Sequence, residues 1–224
     1  MNGIVWQAKG LVLSYPSRDG GTQAFTHVDF DISAGEFVVL KGPSGSGKSS
    51  LLYCLVGLLT PTEGSLQYRN VDVTRWSSKR WAHLRRTEVK FMPQIPAIIP
   101  YLTVREALDL PAKDEKSMAN THRLLDRFDL MKHKDYYPHQ LSVGGRQRFS
   151  FIRAMATPAR AVILDEPTAS LDDVMTQYVI EELTHAANSG TCVIVATHDP
   201  RVQSENATIL YMEKGQLKRR GLDL

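Results

Sequence analysis

Apolar positions along the 224-residue chain fall into three patterns. Uninterrupted runs, Ala161-Val162-Ile163-Leu164 and Thr191-Cys192-Val193-Ile194-Val195-Ala196, have strand length and the continuous hydrophobicity of strands buried on both faces. Glu36-Phe37-Val38-Val39-Leu40 is a further apolar segment of strand type. Alternating or β-rich stretches at Ile4–Leu13 and Thr26–Ile32 predict two early strands around the turn-rich Pro16–Gly21, and Ser33-Ala34-Gly35 predicts another turn. Ser65–Tyr68 and Val89–Met92 read as short strands, and Thr208–Met212 with Gln216–Lys218 as a closing hairpin. Ser77–Arg86 reads as a short charged helix, Phe149–Ala156 as another helix, and Val174–Ala187 as an amphipathic helix, which Asn188-Ser189-Gly190 closes.

Between Ile95 and about Pro138 the character changes to a helical insertion. A Pro-rich connector leads to Thr103, which with Glu106 forms a capping box, and Pro111 ends or kinks the helix that follows. Met118, Leu124, Leu125 and Phe128 then recur at helical spacing within Ser117–Met131. Alternating buried strands and helices predict a mostly parallel sheet with helices on both faces.

Composition narrows the function classes. A net charge of +3 without a long Lys/Arg block gives no sign of nucleic acid as a partner. The densest basic patch, Lys79-Arg80 with Arg85-Arg86 beside Trp76 and Trp81, reads as a solvated helix face. Cys54 and Cys192 lie inside apolar runs and read as small core residues of a protein in a reducing compartment. No apolar run approaches about 18 residues, the length of a membrane helix, so a soluble cytoplasmic protein is expected, acting at a membrane only through a partner.

The chemistry is concentrated at Gly42-Pro43-Ser44-Gly45-Ser46-Gly47-Lys48-Ser49-Ser50, which fits G-x-x-x-x-G-K-[ST] between an apolar strand and an apolar helix. The glycines open turns that a Cβ obstructs, so consecutive amides converge on phosphate oxygens at a helix N-terminus. Lys48 is expected to reach the β- and γ-phosphates and the Ser49 hydroxyl to ligate Mg²⁺. The run 161–164 delivers Asp165 and Glu166 to a strand's C-terminal edge. Asp165 suits a Mg²⁺ contact, and Glu166 is placed to polarise a water attacking the γ-phosphate. The run 191–196 brings His198 to the same edge as a γ-phosphate sensor.

Taken together, these motifs make the chain resemble, from end to end, the nucleotide-binding subunit of an ATP-binding cassette (ABC) transporter. Gly42–Ser50 resembles Walker A, with Gly42, Ser44, Gly45, Ser46, Gly47, Lys48, Ser49 and Ser50 on ATP; Ala161–Glu166 resembles Walker B. Gln94 corresponds to the Q-loop on nucleotide and Mg²⁺, His198 to the switch histidine, Ser170-Leu171-Asp172 to the D-loop, and Tyr15 to an adenine-stacking aromatic. The signature L-S-G-G-Q is matched at Leu141, Ser142 and Gly144, with Val143 for the first glycine and Gly145 for glutamine. Phosphate contacts are therefore carried over to Ser142 and Gly144; Val143 adds bulk, and its β-branch resists positive φ.

The resemblance implies a single α/β domain over 1–224: a P-loop core (1–94 and 155–224) with an N-terminal antiparallel part, and a helical subdomain at about 95–154. It implies an ATPase using ATP and Mg²⁺, with Glu166, His198 and Lys48 catalytic and Ser49, Gln94 and Asp165 on the metal. One P-loop and one signature imply a head-to-tail homodimer. The expected further partner is a separate transmembrane permease on the inner face of the membrane, reached through the cleft beside Gln94. Residues 98–111 resemble the lipoprotein-release, macrolide-efflux and cell-division branch. A regulator that binds ATP with weak turnover stays open as the alternative.

Overall fold

The computed structural model describes residues 3–16, 21–112, 114–202 and 207–219; the predicted turn at 17–20 lies outside them. The chain opens with two long strands, β1 (Ile4–Tyr15) and β2 (Thr22–Ser33), paired antiparallel with Tyr15 opposite Thr22. The buried strand β3 (Phe37–Lys41) follows and runs through the Gly-rich loop into α1 (Lys48–Leu55). A hairpin of β4 (Glu63–Tyr68) and β5 (Val71–Asp72) completes a four-stranded antiparallel sheet in the order β2-β1-β4-β5. The turn joining them uses Arg69 and Asn70 at positive φ. The sequence reading missed β5, which is only two residues long.

The charged helix appears as α2 (Ser78–Thr87). Its Lys79, Arg80 and Arg86 are exposed as predicted, but Arg85 is half-buried and donates to the Val56 carbonyl at 2.7 Å, and Trp81 is buried against Trp6 and Trp76. After β6 (Val89–Met92) come α3 (Val104–Asp109), α4 (Glu115–Arg127), two short 3₁₀ turns and α5 (Val143–Met155). The predicted capping box is present: Thr103 Oγ1 accepts from Glu106 N at 3.2 Å, and Glu106 Oε2 accepts from Thr103 N at 2.8 Å.

Met118 is a correction. It is 51% exposed, and α4 buries Ser117, Thr121, Leu124 and Leu125 instead. At about 100° per residue, positions 117, 121, 124, 125 and 128 share one stripe about 100° wide, and Met118 falls just beyond its edge, about 75° from its centre. Small hydroxyl residues let α4 sit close to its neighbours, and the Thr121 hydroxyl donates to the Ser117 carbonyl at 2.9 Å.

The remaining elements are β7 (Ala161–Asp165), α6 (Asp173–Asn188), β8 (Cys192–Ala196), β9 (Thr208–Glu213) and β10 (Gln216–Arg219). The second sheet runs β10-β9-β3-β8-β7-β6; its five strands from β9 to β6 are parallel, and β10 closes the edge antiparallel. Every residue of β7 and β8 is buried, because helices cover both faces. Two apolar clusters result: one between the two sheets around α1, the other between the parallel sheet and α3 to α6.

Buried Glu182 on α6 braces α4, accepting from Arg123 at 2.6 and 2.8 Å and from Arg127 at 2.6 Å. Burial alone raises a carboxyl's pKa, but these two guanidinium groups prevail and hold Glu182 below the usual range. Both cysteines are buried and free, as expected of core residues. Among the described residues no helix is long and apolar enough to cross a membrane.

Candidate active site

Three neighbouring strands, β3, β8 and β7, end at the same sheet edge, and each hands its next residues to one cleft of about 550 Å³. From β3 comes the Gly-rich loop. Gly42 has φ of 148°, and a Cβ there would stand 2.0 Å from the Met212 carbonyl oxygen. Gly47 has φ of 105°, and its Cβ would stand 2.4 Å from the Ala24 carbonyl oxygen. Conformation and space both demand glycine at these two points. Gly47 caps α1 without any side-chain bond, so the first amides of α1 keep no capping partner. The Lys48 ammonium curls over the loop, donating to the Gly42 carbonyl at 2.8 Å and the Pro43 carbonyl at 3.0 Å. Behind the loop, Gly215 N donates to the Ser46 carbonyl at 3.2 Å, so the β9–β10 turn supports it.

From β7 come Asp165 and Glu166. Asp165 is 1% exposed, shares a hydrogen bond with Ser49, and keeps Oδ2 buried without a partner. Burial, reinforced by Glu166, pushes its carboxyl above the usual range against the pull of Ser49 and Lys48. An orphaned carboxylate oxygen beside a hydroxyl is a donor set suited to a hard divalent cation, which would reverse that penalty.

Glu166 is held at every polar atom. Its amide donates to the Ala196 carbonyl at 2.8 Å. Its carboxylate accepts from the Thr197 hydroxyl at 2.8 Å, the His198 amide at 3.2 Å and His198 Nδ1 at 2.8 Å. Nδ1 therefore carries the proton, and Nε2 is left for another partner. The Glu166 carbonyl accepts from Ala169 N at 3.2 Å and from Gln147 Nε2 at 2.7 Å. The residue stands at φ of 50°, a left-handed conformation that costs about 1–2 kcal/mol outside glycine. Hydrogen bonds of about 1 kcal/mol each are enough to hold it there.

The cleft gathers most of the predicted residues. Ser44, Gly45, Gly47, Lys48, Ser49 and Ser50 line one side. Asp165, Glu166, His198 and Gln94 line the other, and Tyr15 stands at the mouth with its hydroxyl 3.0 Å from Ser50 Oγ. Gly42 and Ser46 shape the loop from beneath. Ser142, Gly144 and Asp172 are not in this cleft. Ser142 caps α5 by accepting from Gly145 N at 3.0 Å, and Asp172 caps α6 by accepting from Met175 N at 2.8 Å. Gly144 packs beside the loop after β7, where an added Cβ would stand 3.0 Å from the Ser170 carbonyl oxygen.

The profile of the ABC transporter family matches residues 25–169. This chain belongs to the ABC transporter family. HrtA of Staphylococcus haemolyticus, an ATP-binding protein named for hemin import, is 32% identical over 218 residues, covering 95% of this chain and 98% of HrtA. The macrolide export ATP-binding/permease protein MacB of Shigella flexneri is also 32% identical over 218 residues, and there the cassette spans only 34% of the relative. The dimeric structure of MJ0796, a bacterial ABC transporter cassette, superposes with a TM-score of 0.89 at 29% identity, covering 96% of this chain and 97% of that one. A post-hydrolysis dimer of MJ0796 bound to ADP and Pi matches equally at 0.89 and 28% identity, covering 98% and 99%. The cassette is thus an ATP-binding ATPase of the MacB-like branch, with the fold expected of it.

Two details of the cassette depart from the sequence reading. Val143 opens α5 and is absent from the positive-φ positions, so its β-branch meets no left-handed requirement; it is simply 61% exposed. Thr197, Gln147 and residues 22–24 of β2 also belong to the site or its support, and none was predicted. The Tyr15–Thr22 register of the first hairpin signals the β2 contribution only once the pairing is known.

Proposed function

We propose that the chain hydrolyses ATP with Mg²⁺ as the nucleotide-binding subunit of a transporter. It works as a head-to-tail homodimer on the inner face of the membrane, beneath a separate transmembrane permease. The observation that carries the reading is the division of the site: the phosphate loop and Glu166 share one cleft, while the Ser142–Gly144 helix start lies outside it. The loop amides and Lys48 hold the β- and γ-phosphates, and Tyr15 meets the adenine. Ser49, Asp165 and Gln94 hold the metal, which when bound neutralises phosphate charge. The Glu166 carboxylate, fixed by Thr197 and His198, orients the attacking water, and His198 stands beside the γ-phosphate. Ser142 and Gly144 of the second copy complete the enclosure.

The core (1–94 and 155–224) and the helical part (about 95–154) move against each other and pass the cycle to the permease at the cleft beside Gln94. That cleft, of about 470 Å³, is walled by Leu58, Phe91 and Pro93. Three of its cations donate to main-chain oxygens: Arg85 to the Val56 carbonyl at 2.7 Å, Lys90 to that of Arg86 at 2.8 Å, and Arg153 to that of Ala97. Burial pushes Lys90 and Arg153 below their usual ranges. An acidic, partly apolar segment of the permease offsets that penalty.

Glu166→Gln tests the reading. It should bind ATP, accumulate as an ATP-bound dimer, and lose turnover by about 100-fold or more in a phosphate-release assay. Undiminished turnover would remove Glu166 from its role.

A further inference from the structure

We propose that Gln147 is a positioning residue that links the start of α5 to the Glu166 carboxylate within one chain. The proposal rests on the reading of Glu166 as the group that orients water. Most bonds that fix Glu166 come from the end of β8 or from its own loop. The bond from Gln147 Nε2 to the Glu166 carbonyl, at 2.7 Å, comes from α5.

Gln147 is 5% exposed, so this amide is aimed inward although the helix offers it solvent on other faces. Glu166 needs such a bond. It sits at positive φ and precedes Pro167, whose ring narrows the backbone choices of the residue before it. The orientation of the 166–167 peptide therefore determines where the carboxylate stands, and Gln147 grips that peptide directly. One helical turn earlier, Gly144 lies against the Ser170 carbonyl. The helix thus touches both ends of the 166–170 loop, and a shift of α5 carries the loop with it.

The start of α5 serves the nucleotide bound by the second copy, whereas Glu166 serves the nucleotide of its own chain. Gln147 consequently couples the two sites of the dimer: seating α5 on one phosphate sets the carboxylate at the other.

Gln147→Met removes the donor at nearly constant volume. In steady-state ATPase kinetics kcat should fall about tenfold, KM for ATP should stay within about twofold, and the Hill coefficient for ATP should drop toward one. Gln147→Leu, which also lacks the donor, is the second variant should the methionine protein not fold, and its expected pattern is the same. Wild-type kcat and Hill coefficient in a folded variant would overturn the proposal. So would a fall in kcat that matches the loss of folded protein and leaves the Hill coefficient unchanged, because that marks a purely structural role. Glu166→Gln run alongside separates the two failures. Retained turnover there sinks the underlying reading, while a dead Glu166→Gln beside a normal Gln147→Met sinks this inference alone.

Discussion

Two helices of this protein begin with small residues, and they begin differently. At α1 the cap is Gly47, no side chain closes the helix end, and Lys48 is nearly buried beside Asp165 of the same chain. At α5 the cap is Ser142, whose hydroxyl takes the Gly145 amide, and Val143 stands 61% exposed. Both ends present amides suited to anions. The first is enclosed by its own fold, with a lysine, a hydroxyl and two carboxylates in place. The second faces outward, with the Ser170 carbonyl beside Gly144. On the proposed function, the contrast is between a nearly complete nucleotide site and the closing fragment of another.

The comparison breaks hardest at α1. Lys48→Ala should raise the dissociation constant for ATP by about 30-fold or more, the loss of about 2 kcal/mol expected for charge-assisted hydrogen bonds. Isothermal titration of the monomer measures it, and an unchanged constant would disconnect the loop from phosphate.

Asp165→Asn sharpens the same side. Burial raises the Asp165 carboxyl, so the folded state favours its protonated form. Its contribution to stability is full below the ordinary carboxylate pKa of about 4 and is lost as pH rises through the raised value. In metal-free protein at neutral pH the asparagine variant should therefore melt about 2–4 °C higher, and the gain should vanish on acidification below about pH 4. A lower melting temperature at neutral pH would show that Asp165 is not strained.

Val143→Gly is expected to do least. Glycine in a first helical turn costs up to about 1 kcal/mol of propensity, and valine is under no backbone strain here. Turnover should change by less than about threefold. A tenfold rise would identify the side-chain bulk as a brake and revive the weakly hydrolysing alternative.

Legibility in the sequence divides along the same line. The phosphate loop could be read because its chemistry is local: glycines, lysine and serine at fixed spacing between a strand and a helix. The Thr103–Glu106 box and the buried strands β7 and β8 were readable for the same reason, each being a short-range pattern. Met118 was misread because apolar spacing alone ignored that Ser117 and Thr121 complete the buried stripe of α4. The support that Gln147 and Thr197 give Glu166 escaped the sequence reading. A polar residue on a helix normally reads as solvent-facing, and the Gln147 partner is a main-chain carbonyl, which leaves no mark in the residue types. Long-range polar support has no spacing rule, so it became visible only when β7, β8 and α5 were assembled.

The central claim is that α5 of one copy closes the nucleotide cleft of another. Ser44→Cys in the exposed part of the phosphate loop, combined with Val143→Cys at the start of α5, tests it by disulfide trapping. The native thiols are silent in this assay: Cys54 and Cys192 are buried, and burial pushes Cys54 up to about 12 and raises Cys192 as well. With ATP in the Glu166→Gln background, the account predicts a covalent dimer carrying two disulfides between copies, and little cross-linking without nucleotide. ATP-bound protein that stays monomeric under oxidation would contradict it.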